Sequence, residues 1–159
     1  MPEELSASAQ KVQNALTELG YAYRVQELPH STRTAVEAAQ AIGCQVAQIV
    51  KSLVFRSKHS NQAILVVASG SNRVNEKQLA ASLGEPIERA TPEFVREQTG
   101  FAIGGVPPLA HANRLRTFVD EDLLQYSQVW AAAGTPFAIF GLEPAELVKM
   151  TGGEVTAIK

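Results

Sequence analysis

The feature that most constrains this chain is a pair of apolar runs, Ile49 to Arg56 and Ala63 to Ser69, joined by the polar segment Ser57 to Gln62. Each run has the length and β-branched content of a strand, and the short polar link predicts a hairpin. Helix signals surround it. Val12, Leu16 and Leu19, with Ala9 and Ala15, form one helical stripe that Gly20 stops. Thr34-Ala-Val-Glu37 has capping-box spacing and opens an alanine-rich helix closed by Gly43. Asn75 can cap a helix through Leu83, with Gln78 in the capping-box position. Thr91-Pro92-Glu93 starts another helix, closed by Gly100, and a last one starts near Pro144. Asp120 can cap a short helix through Tyr126.

Further extended segments lie at Tyr21 to Leu28, Ile87 to Ala90, Leu115 to Val119 and Glu154 to Ile158. Val129 to Ala133 and Phe137 to Phe140 pair naturally around Gly134-Thr135-Pro136. Hairpin-like connections interleaved with helices predict an α/β fold of the α+β type, with a mixed sheet rather than a uniformly parallel one. At 159 residues with no repeat, linker or low-complexity tract, residues 1–159 are expected to form one domain. No apolar run approaches the roughly 20 residues of a membrane helix. The opening Met1-Pro2-Glu3-Glu4 lacks the basic start and apolar stretch of a signal peptide. A single cysteine, Cys44, excludes an intrachain disulfide and fits a reducing cytoplasm.

Two features could carry chemistry. Strand alternation puts Lys51 on the same face as Ile49, Leu53 and Phe55. A lysine on an apolar face must find an anion, reach water or lose its proton, because burying an unpaired ammonium is costly. Lys51 is thus either an anion-binding group at a pocket mouth or an edge-strand lysine whose stem covers apolar surface. The second feature is Gly104-Gly105-Val106-Pro107-Pro108, which fits neither a regular helix nor a central strand. Paired glycines let a ligand approach the backbone, and the prolines stiffen the turn. The same loop serves equally as a structural corner.

The usual catalytic sets are missing: no G-x-S-x-G, no His-Glu-x-x-His, no paired-cysteine metal spacing. His30, His59 and His111 stand singly, His111 three residues past the glycine-proline loop. Cys44 reads as a packing residue, Asp120-Glu121-Asp122 as a helix cap with solvated neighbours, and Trp130, Phe137 and Phe140 as core. The net charge is −2, yet residues 51–116 carry nine Lys and Arg against five acids. That local excess predicts modest, salt-sensitive attraction for a polyanion.

Together, Ile49-Val50-Lys51-Ser52-Leu53-Val54-Phe55, the Gly104 to Pro108 loop and the Gly134-Thr135-Pro136 segment resemble the YbaK family. These are bacterial trans-editing proteins, similar to the editing domain inserted in bacterial prolyl-tRNA synthetases. The resemblance runs from about residue 20 to the C-terminus. It implies one domain with a mixed, barrel-like sheet and flanking helices. It further implies hydrolysis of the ester joining a wrong small amino acid (alanine, serine, threonine or cysteine) to tRNA, most often tRNA(Pro). Carried over residue by residue, Lys51 grips the terminal adenosine and its phosphate. Gly104 and Gly105 are then catalytic, while Val106, Pro107 and Pro108 position the aminoacyl group. His111 is a further substrate-binding candidate, retained where a branch of the family has a small residue, glycine and histidine after the prolines. Here Ala110 replaces that glycine, which bears on the loop's shape. Ser52 faces the opposite side of an ideal strand and is left out of the set.

No metal, cofactor or protein nucleophile is implied. Loop amides such as that of Gly105 would stabilise the oxyanion, and a ribose hydroxyl would guide the water. The implied partner is aminoacyl-tRNA, at its 3'-terminal aminoacyl-adenosine. A prolyl-tRNA synthetase or an elongation factor stands open as a helper that lends tRNA selectivity. Two other readings fit the same pocket: a non-catalytic module binding aminoacyl-adenosine or a nucleotide, and a structural partner of the synthetase.

Overall fold

A computed structural model describes residues 5–159. The opening segment Met1 to Glu4, read above for a leader, lies outside the described residues. The predicted hairpin is the centre of the molecule. Strands β2 (Ile49–Ser57) and β3 (Ala63–Ser69) pair antiparallel from Val50↔Ser69 to Arg56↔Ala63. Every residue of β3 is buried, which its unbroken apolar sequence requires of a strand covered on both faces.

Around this pair the sheet runs in the order β1 (Gln26–Glu27), β7 (Ala138–Leu142), β6 (Val129–Ala132), β2, β3, β5 (Arg116–Asp120), β8 (Glu154–Thr156), while β4 (Ile87–Arg89) joins β2 off that path. β6 and β7 form the second expected hairpin, whereas β2–β6, β3–β5 and β5–β8 are parallel. The sheet is therefore mixed, as expected. The barrel-like closure is not formed: β1 and β8 end the path and do not pair with each other. With only two and three residues, these edge strands offer too little ladder to join across the open side.

Among the described residues five α-helices flank the sheet: α1 (Ala7–Glu18), α2 (Ala35–Ile42), α3 (Glu76–Leu83), α4 (Pro92–Thr99) and α5 (Pro144–Thr151). The predicted caps are made: Thr34, Asn75 and Thr91 each accept the backbone amide three residues on. Asp120 caps a 3-10 turn, Glu121–Gln125, through the Asp122 amide.

The β2 strand divides the interior. On one face Val50, Leu65, Val67, Val119, Ala131 and Phe140 pack with Ala9, Val12 and Leu16 of α1. On the other, Phe55, Ile64, Val66 and Phe118 pack with Leu79 of α3, and Ile49 packs separately with Ala38 and Ala39 of α2. Lys51 therefore lies on a face whose neighbours along the strand belong to two distinct apolar clusters. Cys44 packs at the second of these, as read, with its thiol pushed up by burial.

Besides the barrel-like closure, three expectations differ from the structure. Leu19 ends the α1 stripe and is 57% exposed, because the helix stops at Glu18 and Leu19 is its C-cap. Phe137 is 45% exposed rather than core, since β7 begins one residue later and leaves it in the turn. Of Tyr21 to Leu28, only Gln26–Glu27 is strand. There the Gln13 side chain takes the place of a neighbouring strand, donating to the Tyr23 carbonyl at 3.0 Å and accepting the Val25 amide at 2.8 Å.

Candidate active site

The sheet has a gap beside β2. On the side away from β3, β2 pairs with β6 at Ile49 and Val50 and with β4 from Phe55 to Ser57. Residues 51–54 between them have no strand alongside on that side. The Ala90 amide donates to the Val54 carbonyl there at 3.3 Å. By strand alternation Ser52, two residues earlier, directs its own amide and carbonyl into the same gap. A cavity of about 530 Å³ opens at this edge, lined by Ile49 to Phe55 of β2, residues 32–36 with Ala38, Arg89, Gly104, Val106 and Trp130.

Lys51 enters the cavity from β2. Its Nζ donates to the main-chain carbonyl of Asn72 at 2.8 Å. Of an ammonium's three donors, two are then left for a ligand. Burial chiefly, and Arg89 next, push the ammonium below the usual lysine range, while Asp120 opposes this and Arg73 adds to it. The stem of Lys51 lies between two apolar clusters, and its head is held at the cavity.

The glycine-proline loop contributes differently. Gly104 and Val106 line the cavity. Gly104 sits at φ +95°, a conformation an L side chain rarely adopts, with a would-be Cβ 3.0 Å from Arg33 Cγ. Gly105 is turned elsewhere: its amide donates to the Ala102 carbonyl at 3.1 Å and its carbonyl accepts from Gly134 at 2.8 Å. A Cβ there would meet Thr135 Cα at 2.7 Å, so Gly105 is a glycine because two backbones touch.

Pro107 and Pro108 are buried and do not reach the cavity wall. His111 closes the loop, its Nε2 2.7 Å from the Pro107 carbonyl. A carbonyl only accepts, so Nε2 carries the proton. Burial pushes this imidazole below the usual histidine range, partly offset by the Pro107 contact. Ala110, where a glycine was the family pattern, holds φ +68° as an alanine.

Of the seven residues read from sequence, the structure thus brings Lys51, Gly104 and Val106 to one cavity, with Gly105, Pro107, Pro108 and His111 behind the wall. It adds three that the reading missed. Arg33 precedes the α2 cap and Arg89 ends β4, and both line the cavity with Lys51. No Asp or Glu is among the lining residues. Arg89 was visible only as part of the charge excess of residues 51–116, and nothing in the sequence marked Arg33. The third is Ser52, whose buried hydroxyl has no hydrogen-bond partner. It does face the opposite side of the strand from Lys51, but the open edge lets both residues border one space. Among the described residues, no three His, Cys, Asp or Glu side chains gather as metal ligands would.

The chain is similar in sequence and fold to several known proteins. The family model described as "Aminoacyl-tRNA editing domain" matches residues 30–150, which include every cavity residue named above. A Bacillus subtilis protein, "Uncharacterized protein YwhH", is 32% identical over 148 residues, covering 93% of this chain and 94% of that one. An Enterococcus faecalis protein named "Putative Cys-tRNA(Pro)/Cys-tRNA(Cys) deacylase EbsC" is 25% identical over 79% of this chain and 76% of its own. A solved structure, "Crystal structure of a putative trans-editing enzyme for prolyl tRNA synthetase", superposes with a TM-score of 0.92 at 52% identity, covering 98% of this chain and 99% of that one.

Proposed function

The chain belongs to the aminoacyl-tRNA editing domain family, and from that premise we propose that it is a trans-editing deacylase acting on tRNA mischarged with a small amino acid. The observation that carries this reading is the composition of the cavity wall: Arg33, Lys51 and Arg89, no carboxylate, and otherwise mostly apolar residues. Such a wall suits a ligand with an anionic end and a small uncharged or apolar group, as the 3' end of an aminoacyl-tRNA is. No helix among the described residues is long and apolar enough to cross a membrane. We place the activity in the cytoplasm, where tRNA is charged.

The chemistry follows from the substrate. An aminoacyl ester is already activated, so hydrolysis needs an oriented water and stabilisation of the oxyanion that forms on the carbonyl. Water adds to the carbonyl carbon, and the ribose oxygen leaves as the tetrahedral intermediate collapses. Lys51, with Arg89 and Arg33, holds the terminal phosphate and orients the ester by charge. Because the Gly105 amide is already engaged with Ala102, the loop's donors to the oxyanion are assigned to Gly104 and Val106. A substrate ribose hydroxyl guides the water. Val36 and Ile103, both lining the cavity and 52% and 45% exposed, give the adenine an apolar rim.

Alanine, serine, threonine and cysteine are the candidate aminoacyl groups, and tRNA(Pro) the candidate carrier. Support for the last comes from the structural relative named for prolyl-tRNA synthetase. That relative favours the synthetase over an elongation factor as a helper. The test is a panel of tRNAs charged with alanine, serine, threonine, cysteine or proline, followed for loss of the ester. One or more small esters should be cleared while prolyl-tRNA(Pro) is spared. Binding without loss of any ester would overturn the enzymatic reading in favour of a binding module. Affinity should fall as salt rises, by roughly one unit of log–log slope for each phosphate neutralised.

A further inference from the structure

Asp120 was read from sequence as a helix cap, and it is one, but a cap does not explain where it lies. It is 1% exposed, at the end of β5, with a carboxylate fully engaged. Oδ1 accepts the Asp122 amide at 2.9 Å, which is the cap. Oδ2 points the other way, accepting the Ser69 amide at 2.9 Å and the Asn72 side-chain amide at 2.8 Å. Asn72 Nδ2 also donates to Asp122 Oδ2 at 2.7 Å, and Asp122 is paired in turn with Lys159 at 3.1 Å. The Asn72 side chain is therefore clamped by two carboxylates, and its main-chain carbonyl is the acceptor of the Lys51 ammonium.

A loop after a strand end is ordinarily mobile enough for one carbonyl to wander. Here the clamp fixes that carbonyl relative to β5, and through it the ammonium relative to the cavity. We infer that Asp120 is the positioning residue for Lys51, holding its head group at the cavity wall through Asn72. This rests on the proposed function only for what Lys51 then does to substrate; the positioning itself is a property of the free protein.

A second effect comes with the first. The charged groups facing Lys51 are Arg89 on β4, Arg73 in the loop after β3, and Asp120 on β5. Both arginines and burial favour the neutral amine, and Asp120 alone of these favours the ammonium. Removing its charge must lower the pH at which Lys51 gives up its proton. Asn72→Ala keeps that charge and loosens only the acceptor of the ammonium, so a fall in kcat/KM there reports the positioning and not the field.

The experiment compares Asp120→Asn and Asn72→Ala in the full chain. Lys51 is titrated by NMR of labelled lysine side chains, its signal assigned by its absence in Lys51→Arg, with no tRNA present. Asp120→Asn should move the Lys51 titration to lower pH, whereas Asn72→Ala, which keeps the carboxylate, should move it less. Both should lower kcat/KM for the ester that the wild type clears by roughly tenfold to a hundredfold, the range expected of a misplaced group. An unmoved Lys51 titration in folded Asp120→Asn would overturn the inference. Should that variant not fold, Asn72→Ala at its partly exposed loop position decides, and wild-type kcat/KM there would overturn it. A wild type that clears no ester sinks the proposed function, and the titration still tests the positioning.

Discussion

The strand edge around Lys51 and the loop from Gly104 to His111 border the same cavity and have opposite economies of hydrogen bonds. The strand edge is unfinished: residues 51–54 have a partner strand on one side only, the Ser52 hydroxyl has none, and Lys51 spends one donor on Asn72. The loop is finished: Gly105 is bonded at both its amide and its carbonyl, and His111 is closed on Pro107. A protein must satisfy its buried polar groups, and those it leaves over are the ones available to a ligand. By that measure we assign the grip on substrate to the strand edge, and the loop is mostly a rigid wall.

Four changes test this contrast. Lys51→Ala takes the cation from the open edge and should cost about a hundredfold or more in deacylation with the fold intact, the scale of truncating one partner of a buried charged contact. A folded variant at full rate would erase the distinction between the two regions. Gly105→Ala acts on the wall. Its Cβ would stand 2.7 Å from Thr135 Cα, and thermal unfolding should report a loss of about 1–3 kcal/mol. If activity per folded molecule also collapsed, the loop would be more than a wall.

Ala110→Gly should have the reverse sign. Relief of the strain at φ +68° should stabilise the protein by about 1 kcal/mol, less what glycine's unfolded-state entropy takes back. No gain in denaturant midpoint would mean the loop carries no strain there. The smallest effect belongs to His111. Its folded pKa is depressed, so the unfolded state binds the proton first as pH falls through about 6.5. Stability should be complete above that value and decline below it until the folded-state pKa is passed. His111→Gln should flatten this decline and leave deacylation at neutral pH unchanged; a lost activity would put His111 in contact with substrate.

The fold was legible where periodicity is strong. The β2–β3 hairpin, the β6–β7 hairpin and the three threonine or asparagine caps follow from spacing that the backbone must obey locally. Tyr21 to Leu28 was not legible, because a side chain far along the chain, Gln13, does there what a strand would have done. The site was legible in the same uneven way. Alternation put Lys51 on its face correctly. Nothing local could say that Gly105 is small for the sake of Thr135, or that Arg33 and Arg89 would converge on one cavity.

The residues alone settled most of the segments that extend or coil, where the capped helices α2, α3 and α4 start, and that one lysine would stand among apolar neighbours. These are short-range matters of dihedral preference and side-chain period. Assembly in three dimensions decided that the sheet stays open and that β2 is left bare between β6 and β4. It also decided that a buried carboxylate 69 positions further along the chain stands behind the lysine's acceptor. Contacts of that kind depend on which surfaces pack together, and no spacing along the chain encodes them.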